Sequence, residues 1–553
     1  MSQPNNAVFS FPGGLHLDEQ KSTSSTVPIS DSPLPKQLIL PLSQHIGEAA
    51  VPCVSVGDKV LKGQIIAHAE GRISVALHAP TSGTIDKIEN HVIPHASGLS
   101  APCIFINSDG EDKWRERSPC ADYTTIAIEE LQQRIRNAGI VGMGGAGFPS
   151  AVKLAPHSAQ KVDTLILNGA ECEPFITCDD MLMRERAAEI IAGLKIMQYV
   201  LQAKQCIIGI EDNKIEAFAA LQTAIDADKC ENISLKRVST KYPAGGERQL
   251  IYSLLGQEVD SDQRPINIGV VCHNVATAAA VYRAIVHDEP LLSRIVTLAG
   301  SGIPQPRNLE VLIGTPIDSL LNNAHASLDE LGNVVMGGPM MGFIIEHLHA
   351  PVIKTTNCLL ATLTRDVKPK PAALACIRCG DCADVCPAYL LPQQLYWFSR
   401  ANEFDPIQEY HLFDCIECGC CDYVCPSHIP IVQYIRHAKT AIWQQESDTK
   451  KSNHARERHE KRLERLERVK REKKESHNRK KAALNKNKEN DVDPKKAAIL
   501  AAMARANKRK EGLDSAPKNT ENLTADQQQQ IDDADARRQS EKKAANNKDK
   551  DSA

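Results

Sequence analysis

Eight cysteines at a fixed spacing constrain this 553-residue chain more than any other feature. The stretch 376–387 reads CIRCGDCADVCP, and the stretch 415–426 reads CIECGCCDYVCP. In register, Cys376, Cys379, Cys382 and Cys386 fall on Cys415, Cys418, Cys421 and Cys425, so each copy is C-x2-C-x2-C-x3-C-P. Cys420 falls opposite Asp381 at a spacer position and is surplus to the pattern. Three cysteines on one tight loop can wrap three irons of a cubane, and Gly380 and Gly419 let the backbone fold close to it. The fourth cysteine follows a break, and the proline after it sets φ for the start of the next helix. Four thiolates also suit tetrahedral zinc, although structural zinc usually takes C-x2-C pairs parted by a longer loop. The doubled run favours iron–sulfur clusters. These carry single electrons and catalyse nothing alone, so the chain needs an electron donor and an acceptor.

The run resembles that of bacterial two-cluster ferredoxins, in which the last cysteine of each copy ligates the other cluster. The resemblance implies one [4Fe–4S] centre on Cys376, Cys379, Cys382 and Cys425, and a second on Cys386, Cys415, Cys418 and Cys421. Most other cysteines stand singly in apolar surroundings such as QCIIGI and GVVCHN, as in a reducing compartment. The start, MSQPNNAVFSFPGG, has no basic n-region or apolar h-region, so no export signal is expected. The longest weakly polar run, about 333–353, carries Asn333, Glu346 and two histidines and is too polar to span a bilayer. A soluble or peripheral cytoplasmic chain is expected.

The sequence reads as an α/β multidomain protein. Residues 1–33 form an irregular arm rich in Ser, Pro and Asn. Residues 34–107 hold short alternating runs such as VSVGDKVLKGQIIA and LHAPTSGTIDKI, and resemble the barrel-sandwich hybrid of biotinyl and lipoyl carriers. The corresponding hairpin, EGRISVALH, lacks a lysine to modify, so a structural role is expected. Over 125–290, the apolar runs TLILNGAE, CIIGIED, ISLKRV and NIGVVCHN alternate with helical spacing in RERAAEIIAGLKIMQYVLQA, NKIEAFAALQTAIDA and NVATAAAVYRAIVHD. This predicts an open, Rossmann-like α/β sheet, with Asn213 and Asn274 capping the last two helices. Residues 294–350 resemble a β-grasp module of the SLBB-like kind, and 372–440 hold the cysteine repeat. Residues 445–553 form a low-complexity charged tail, partly helical and otherwise disordered.

The net charge of −4 hides an asymmetry, because Lys and Arg exceed acids by about thirteen between 450 and 511. A solvated tail accounts for this, as does binding to an anionic membrane surface or acidic partner. No aromatic interleaves the charges and no groove-reading motif appears, so nucleic acid is not expected.

Four further segments stand out in the α/β region, a glycine-rich loop and three at strand ends. GIVGMGGAGFP, followed by SAVKL, supplies Gly142, Gly144, Gly145 and Gly147, with Pro149 suited to the first position of a short helix and Lys153 one turn on. It lacks the GK[ST] of a Walker A loop and the acidic partner of a dinucleotide fingerprint. NGAECEP supplies Asn168, Glu171 and Glu173, KYPAGGERQ supplies Gly245, Gly246 and Glu247, and HNVAT opens a helix after a buried strand. Each alone could be an ordinary loop or cap. Together they occupy the rim where open α/β sheets bind ligands.

The set G-x-G-G-A-G-F-P, N-x-x-E-x-E-P, G-G-E and H-N-V-x-T resembles the flavin- and NADH-binding subunit of respiratory complex I. The order of modules resembles the C subunit of Rnf/Rsx electron-transport complexes over residues 9–445. That resemblance implies FMN as cofactor and NADH as substrate. It puts Gly142, Gly144 and Lys153 on the FMN phosphate side, with Asn168, Glu171, His273, Asn274 and Thr277 along the flavin. Gly145, Ala146, Phe148 and Glu173 would meet NADH, and Glu247 would sit near both. Complex I has arginine where Met143 stands and aspartate where Ala170 stands. No catalytic acid–base pair is expected, since hydride transfer to a flavin needs alignment rather than proton transfer by the protein. The implied partners are the other members of a six-subunit membrane assembly that couples electron transfer to ion translocation, on the cytoplasmic side of the inner membrane, and ferredoxin. Two alternatives remain at this point: a flavin-free iron–sulfur adaptor fed by ferredoxin, and an assembly scaffold acting through the basic tail.

Overall fold

The four apolar runs of the α/β region form one parallel sheet. Its spatial order is Ile233–Val238, Gln205–Glu211, Thr164–Gly169, Val270–Asn274. The strand that comes first in the chain therefore sits between the second and the fourth, and the order reverses between Thr164–Gly169 and Val270–Asn274. Their carboxyl ends flank the switch-point crevice of a doubly wound sheet. The computed structural model describes residues 8–155, 161–369, 371–486 and 495–511, with Gln529 and Asp532.

Helices Ala187–Leu201 and Val275–Val286 cover the sheet and bury Ile190, Leu194, Met197, Ala278, Val281 and Ile285 in the main core. They meet backbone to backbone at Gly193, where an added Cβ would lie 1.9 Å from the Ala278 carbonyl oxygen. The helical run expected through RERAAEIIAG breaks at Arg186, giving Cys178–Glu185 before Ala187–Leu201. Asn274 caps its helix by accepting from the Ala276 amide. Asn213 does not, because helix Ile215–Ala227 starts from Lys214 and the Asn213 amide is bonded instead to Glu19 of the arm.

The barrel-sandwich region pairs a four-stranded sheet, Gln37–Pro41, Ser100–Ser108, Gly83–Val92, Lys59–Val60, with a three-stranded one, Val51–Pro52, Ile65–His68, Leu77–His78. Beyond the α/β sheet lies a mixed six-stranded sheet with its own apolar core and helix Ile317–Asn323. Two of its strands come from outside 294–350. Ser30–Asp31 is contributed by the arm, and Cys358–Leu363 pairs between Ser293–Ala299 and Leu331–Met336. The run CLLATL is apolar without alternation, so its pattern does not announce which sheet it joins.

The arm is strapped down along its length. The Phe9 amide donates to the Ser253 carbonyl, Gly14 to Val385, and Leu15 bridges Tyr242. Buried Lys21 donates to the carbonyls of Glu171, Glu173 and Ile176. In the cysteine region, helices Asp381–Asp384, Pro392–Ala401, Phe404–Glu409 and Cys420–Val424 pack around Leu395, Ile407, Leu412 and Ile435. The helix Ile431–Lys486 buries Ile431, Val432, Ile435, Ala438 and Ile442 at helical spacing.

A second unit runs from Asp448 to Ala553. Its described side chains from 448 to 483 are all exposed, as are those of 498–508 within helix Lys495–Glu511. The expected disorder of the tail falls largely on residues outside those described. Among the described residues, no helix is long and apolar enough to cross a membrane.

The Gly193 contact has a measurable cost. Gly193→Ala should lower stability by about 1–3 kcal/mol through overpacking, read as a lower urea midpoint. A wild-type midpoint would show that the two helices do not meet there.

Candidate functional site

The glycine loop is held over the switch point from both sides. Val141 and Pro149 bridge its base, and the Gly142 amide donates to the Phe148 carbonyl at 2.7 Å. The Met143 amide donates to Thr277 Oγ1 at 3.1 Å, and buried Arg294 donates to the Met143 carbonyl at 3.2 Å. Buried Lys354 ties the approach to the loop, donating to Gly139 at 2.6 Å and to Ala76 of the barrel-sandwich region at 2.9 Å. Gly144, Gly145 and Ala146 are left exposed, with Gly144 against the Asn274 side chain.

Three elements converge beside this loop. Lys153 pairs with Glu247 at 2.6 Å and donates to the Cys272 carbonyl at 3.1 Å, joining helix Ser150–Lys153, helix Glu247–Leu255 and the last sheet strand. Asn168 donates to the Gly245 carbonyl at 2.8 Å and accepts from the Ala170 amide at 3.0 Å. Burial, reinforced by Lys153, pushes His273 well below the usual histidine range, so its ring is neutral. Its Nε2 is buried without a hydrogen-bond partner, as is the Ser150 hydroxyl. Buried polar atoms are normally satisfied, so the two open valences on this rim fit a polar cofactor.

Other expected site residues are engaged in the supporting structure. Glu171 is buried and accepts from the Asp179 and Asp180 amides at 2.8 and 3.3 Å, capping helix Cys178–Glu185. Glu173 accepts from the Met340 and Met341 amides at 2.7 and 3.1 Å, which ties it to a turn beside the mixed six-stranded sheet. Phe148 is half-buried at the end of the glycine loop. Pro149 does not open the short helix, because its ψ of 117° is extended and the helix begins at Ser150. Sequence reading missed Asp179, which accepts from Asn274 Nδ2 at 2.6 Å and is pushed to about 7 by burial beside Glu171. Its signal was the CDD that opens the helix after NGAECEP.

The cysteines assemble across the two copies. Cys386 of the first run lines one cavity with Cys415, Cys418, Cys420 and Cys421 of the second, among Pro387, Leu395 and Val432. Burial, with Cys418 and Cys386 as neighbours, pushes Cys415 up to about 11. Burial also raises Cys382, with Cys379 and Cys376 close by, and Cys425 packs partly buried against the same core as Cys376 and Cys382. Among the described residues, no three of these thiols lie within 4.8 Å of one another. Thiolates drawn from both copies are the donor set that [4Fe–4S] centres take.

The surplus Cys420 is fully buried in a seam with Tyr242 and Cys418, against Leu15, Leu17 and Met340. Across that seam the Tyr242 hydroxyl donates to the Cys418 carbonyl at 2.7 Å, Gln249 to the Pro387 carbonyl at 3.2 Å, and Arg248 pairs with Asp414 at 3.2 Å. The segment 241–249 thus has Gly245 and Glu247 at the sheet rim and Tyr242 at a cysteine loop.

A ligand rim on a doubly wound sheet, joined by one segment to a paired cysteine domain, defines a protein that couples a ligand-binding α/β domain to a two-centre cysteine module. Known families match each part: the RnfC barrel sandwich hybrid domain over residues 9–111, the Nuo51 FMN-binding domain over 135–283, and the 4Fe-4S dicluster domain over 375–429. The C subunit of the ion-translocating oxidoreductase complex of Pseudomonas aeruginosa is 52% identical over 454 residues, covering 82% of this chain and 58% of that protein. Its counterpart in Serratia proteamaculans is 48% identical, covering 90% of this chain and 69% of that one, and a Haemophilus influenzae relative is 48% identical, covering 82% and 69%. The chain belongs to this family, the C subunits of ion-translocating oxidoreductase complexes. It spans little more than half the length of the Pseudomonas relative.

The cross-copy ligand sets give a direct chemical test. Cys420→Ser should retain about eight irons and eight inorganic sulfides per chain, whereas Cys386→Ser should fall to about four of each. Equal losses in both variants would contradict the assignment.

Proposed function

We propose that this chain is the peripheral electron-input subunit of a membrane complex, oxidising NADH at FMN, or running in reverse, and passing electrons through two [4Fe–4S] centres. The observation that carries this reading is the segment 241–249, which reaches the ligand rim through Glu247 and a cysteine loop through Tyr242. When bound, the flavin supplies two-electron chemistry with single-electron release, and the clusters supply one-electron relay.

The residues divide the work. Gly142, Gly144 and Lys153 hold the phosphate side. Asn168, His273, Asn274 and Thr277 line the flavin, and Glu171 supports them from beneath through the cap that places Asp179 on Asn274. Gly145, Ala146 and Phe148 meet NADH from the exposed part of the loop, with Glu173 behind them and Glu247 near both ligands. Orientation and exclusion of water are the contributions required of the protein, so no side chain is assigned as acid or base.

The centre on Cys386, Cys415, Cys418 and Cys421 is the inner one, because Cys418 and Cys421 are buried and the Cys418 carbonyl accepts from Tyr242 of the 241–249 segment. The centre on Cys376, Cys379, Cys382 and Cys425 is the outer one, because Cys379 is exposed. Electrons leave from there to the remaining members of a six-subunit assembly that couples their flow to ion translocation at the cytoplasmic face of the inner membrane. Ferredoxin is the soluble partner when flow reverses.

Anaerobic titration of the purified chain with NADH should bleach flavin absorbance and raise the electron paramagnetic resonance signals of both clusters together. Clusters that stay oxidised while NADH is present would overturn the reading. His273→Ala should weaken FMN binding by about 3- to 10-fold, the worth of one lost hydrogen bond, measured as flavin retained on dilution.

A further inference from the structure

The two cysteine copies share a backbone but not an environment. Arg378 and Glu417 have φ of 59° and 58°, Gly380 and Gly419 of 96° and 80°, and Tyr389 and His428 of 53° and 52°. These pairs occupy equivalent places in the register, so the two loops have the same shape. The second loop is covered. Ile416 packs against the Tyr242–Cys418–Cys420 seam, Cys418 and Cys420 are buried, and a Cβ on Gly419 would lie 3.0 Å from the Met340 carbonyl oxygen.

The first loop is bare at every equivalent place. Ile377 is 68% exposed, Cys379 is exposed, and a Cβ on Gly380 would meet nothing within 4 Å. Asp381 stands where the buried copy has Cys420. The bare surface widens into an apolar patch. The Leu374 amide donates to the Ser427 carbonyl and the Ser427 hydroxyl to the Ala375 carbonyl, which holds 374–376 against 425–427. Leu374 and Tyr423, each 64% exposed, flank that junction. Large apolar side chains grouped at one exposed place mark an interaction surface.

We propose that loop 376–381, together with Leu374 and Tyr423, is the docking face for the protein that takes electrons from the outer centre. The internal copy indicates the occupant's chemistry. The equivalent loop is covered by Tyr242 of the segment that reaches the ligand rim, with Leu15 and Leu17 of the arm and Met340 around it. The occupant is therefore a protein with an apolar contact surface beside its own one-electron centre. The exchange moves one electron and no proton or bond: the centre on Cys376, Cys379, Cys382 and Cys425 is oxidised and the partner's centre is reduced. The inference rests on the proposed function for the direction of exchange, and on the two loops alone for the face.

The test adds full-length chain back to membranes from cells lacking it. Leu374→Asp with Tyr423→Lys, and separately Ile377→Asp, should reduce both co-sedimentation with those membranes and NADH-driven reduction of their cofactors at least 10-fold. Flavin content and cluster signals after NADH should stay at wild-type level in the double variant. If Ile377→Asp loses the outer cluster, the double variant decides. Wild-type co-sedimentation and transfer in the double variant would overturn the face. An equal loss of binding to protein-free vesicles of the same lipids would also overturn it, in favour of a lipid contact. Failure of NADH to reduce the wild-type clusters would strike the proposed function and leave the co-sedimentation result standing.

Discussion

The placement of segment 241–249 between the sheet rim and the second cysteine loop is the constraint on which the rest depends. Charge moves between centres only over short distances, so the rim and the cysteine domain must be held together without slack. Tyr242 makes that junction with one hydrogen bond to a main-chain carbonyl inside an apolar seam. Burial raises the tyrosine hydroxyl far above its usual range, so it remains a donor throughout the physiological range. A charged link at this point would bring a desolvation penalty and place a fixed charge beside a cluster.

Two buried lysines far apart in the sequence brace the rim. Lys21 gathers three carbonyls of the 171–176 turn, and Lys354 joins the barrel-sandwich region to Gly139, just ahead of the glycine loop. An ammonium group with three donors suits a turn whose carbonyls converge and have no strand partner. The barrel-sandwich region, without a lysine to modify on its hairpin, is tied to the backbone at Gly139 through Lys354.

Much of this was legible in the residues. The parallel strands follow from short apolar runs, and the switch-point location follows from three motifs that each sit at a strand end. The cross-copy cysteine sets are an expectation from family resemblance. What could not be read depends on side chains being spent elsewhere. Asn213 has a capping residue's chemistry, yet Glu19 of the distant arm takes its amide. Glu171 and Glu173 carry a binding motif's charge, yet each accepts main-chain amides of a neighbouring turn. The strand Cys358–Leu363 lies outside the expected module because pairing across a mixed sheet is a long-range choice that local pattern does not encode.

The unequal covering of the two cysteine loops also sets their chemical durability. A thiolate that faces solvent is where oxidants and chelators first reach a cluster, and Cys379 is the most open of the eight ligands. Handling in air would therefore strip clusters held by these sets from the outside inward. A chain that lost half its iron in this way would keep the sheltered half, able to take up reducing equivalents while having nowhere to send them.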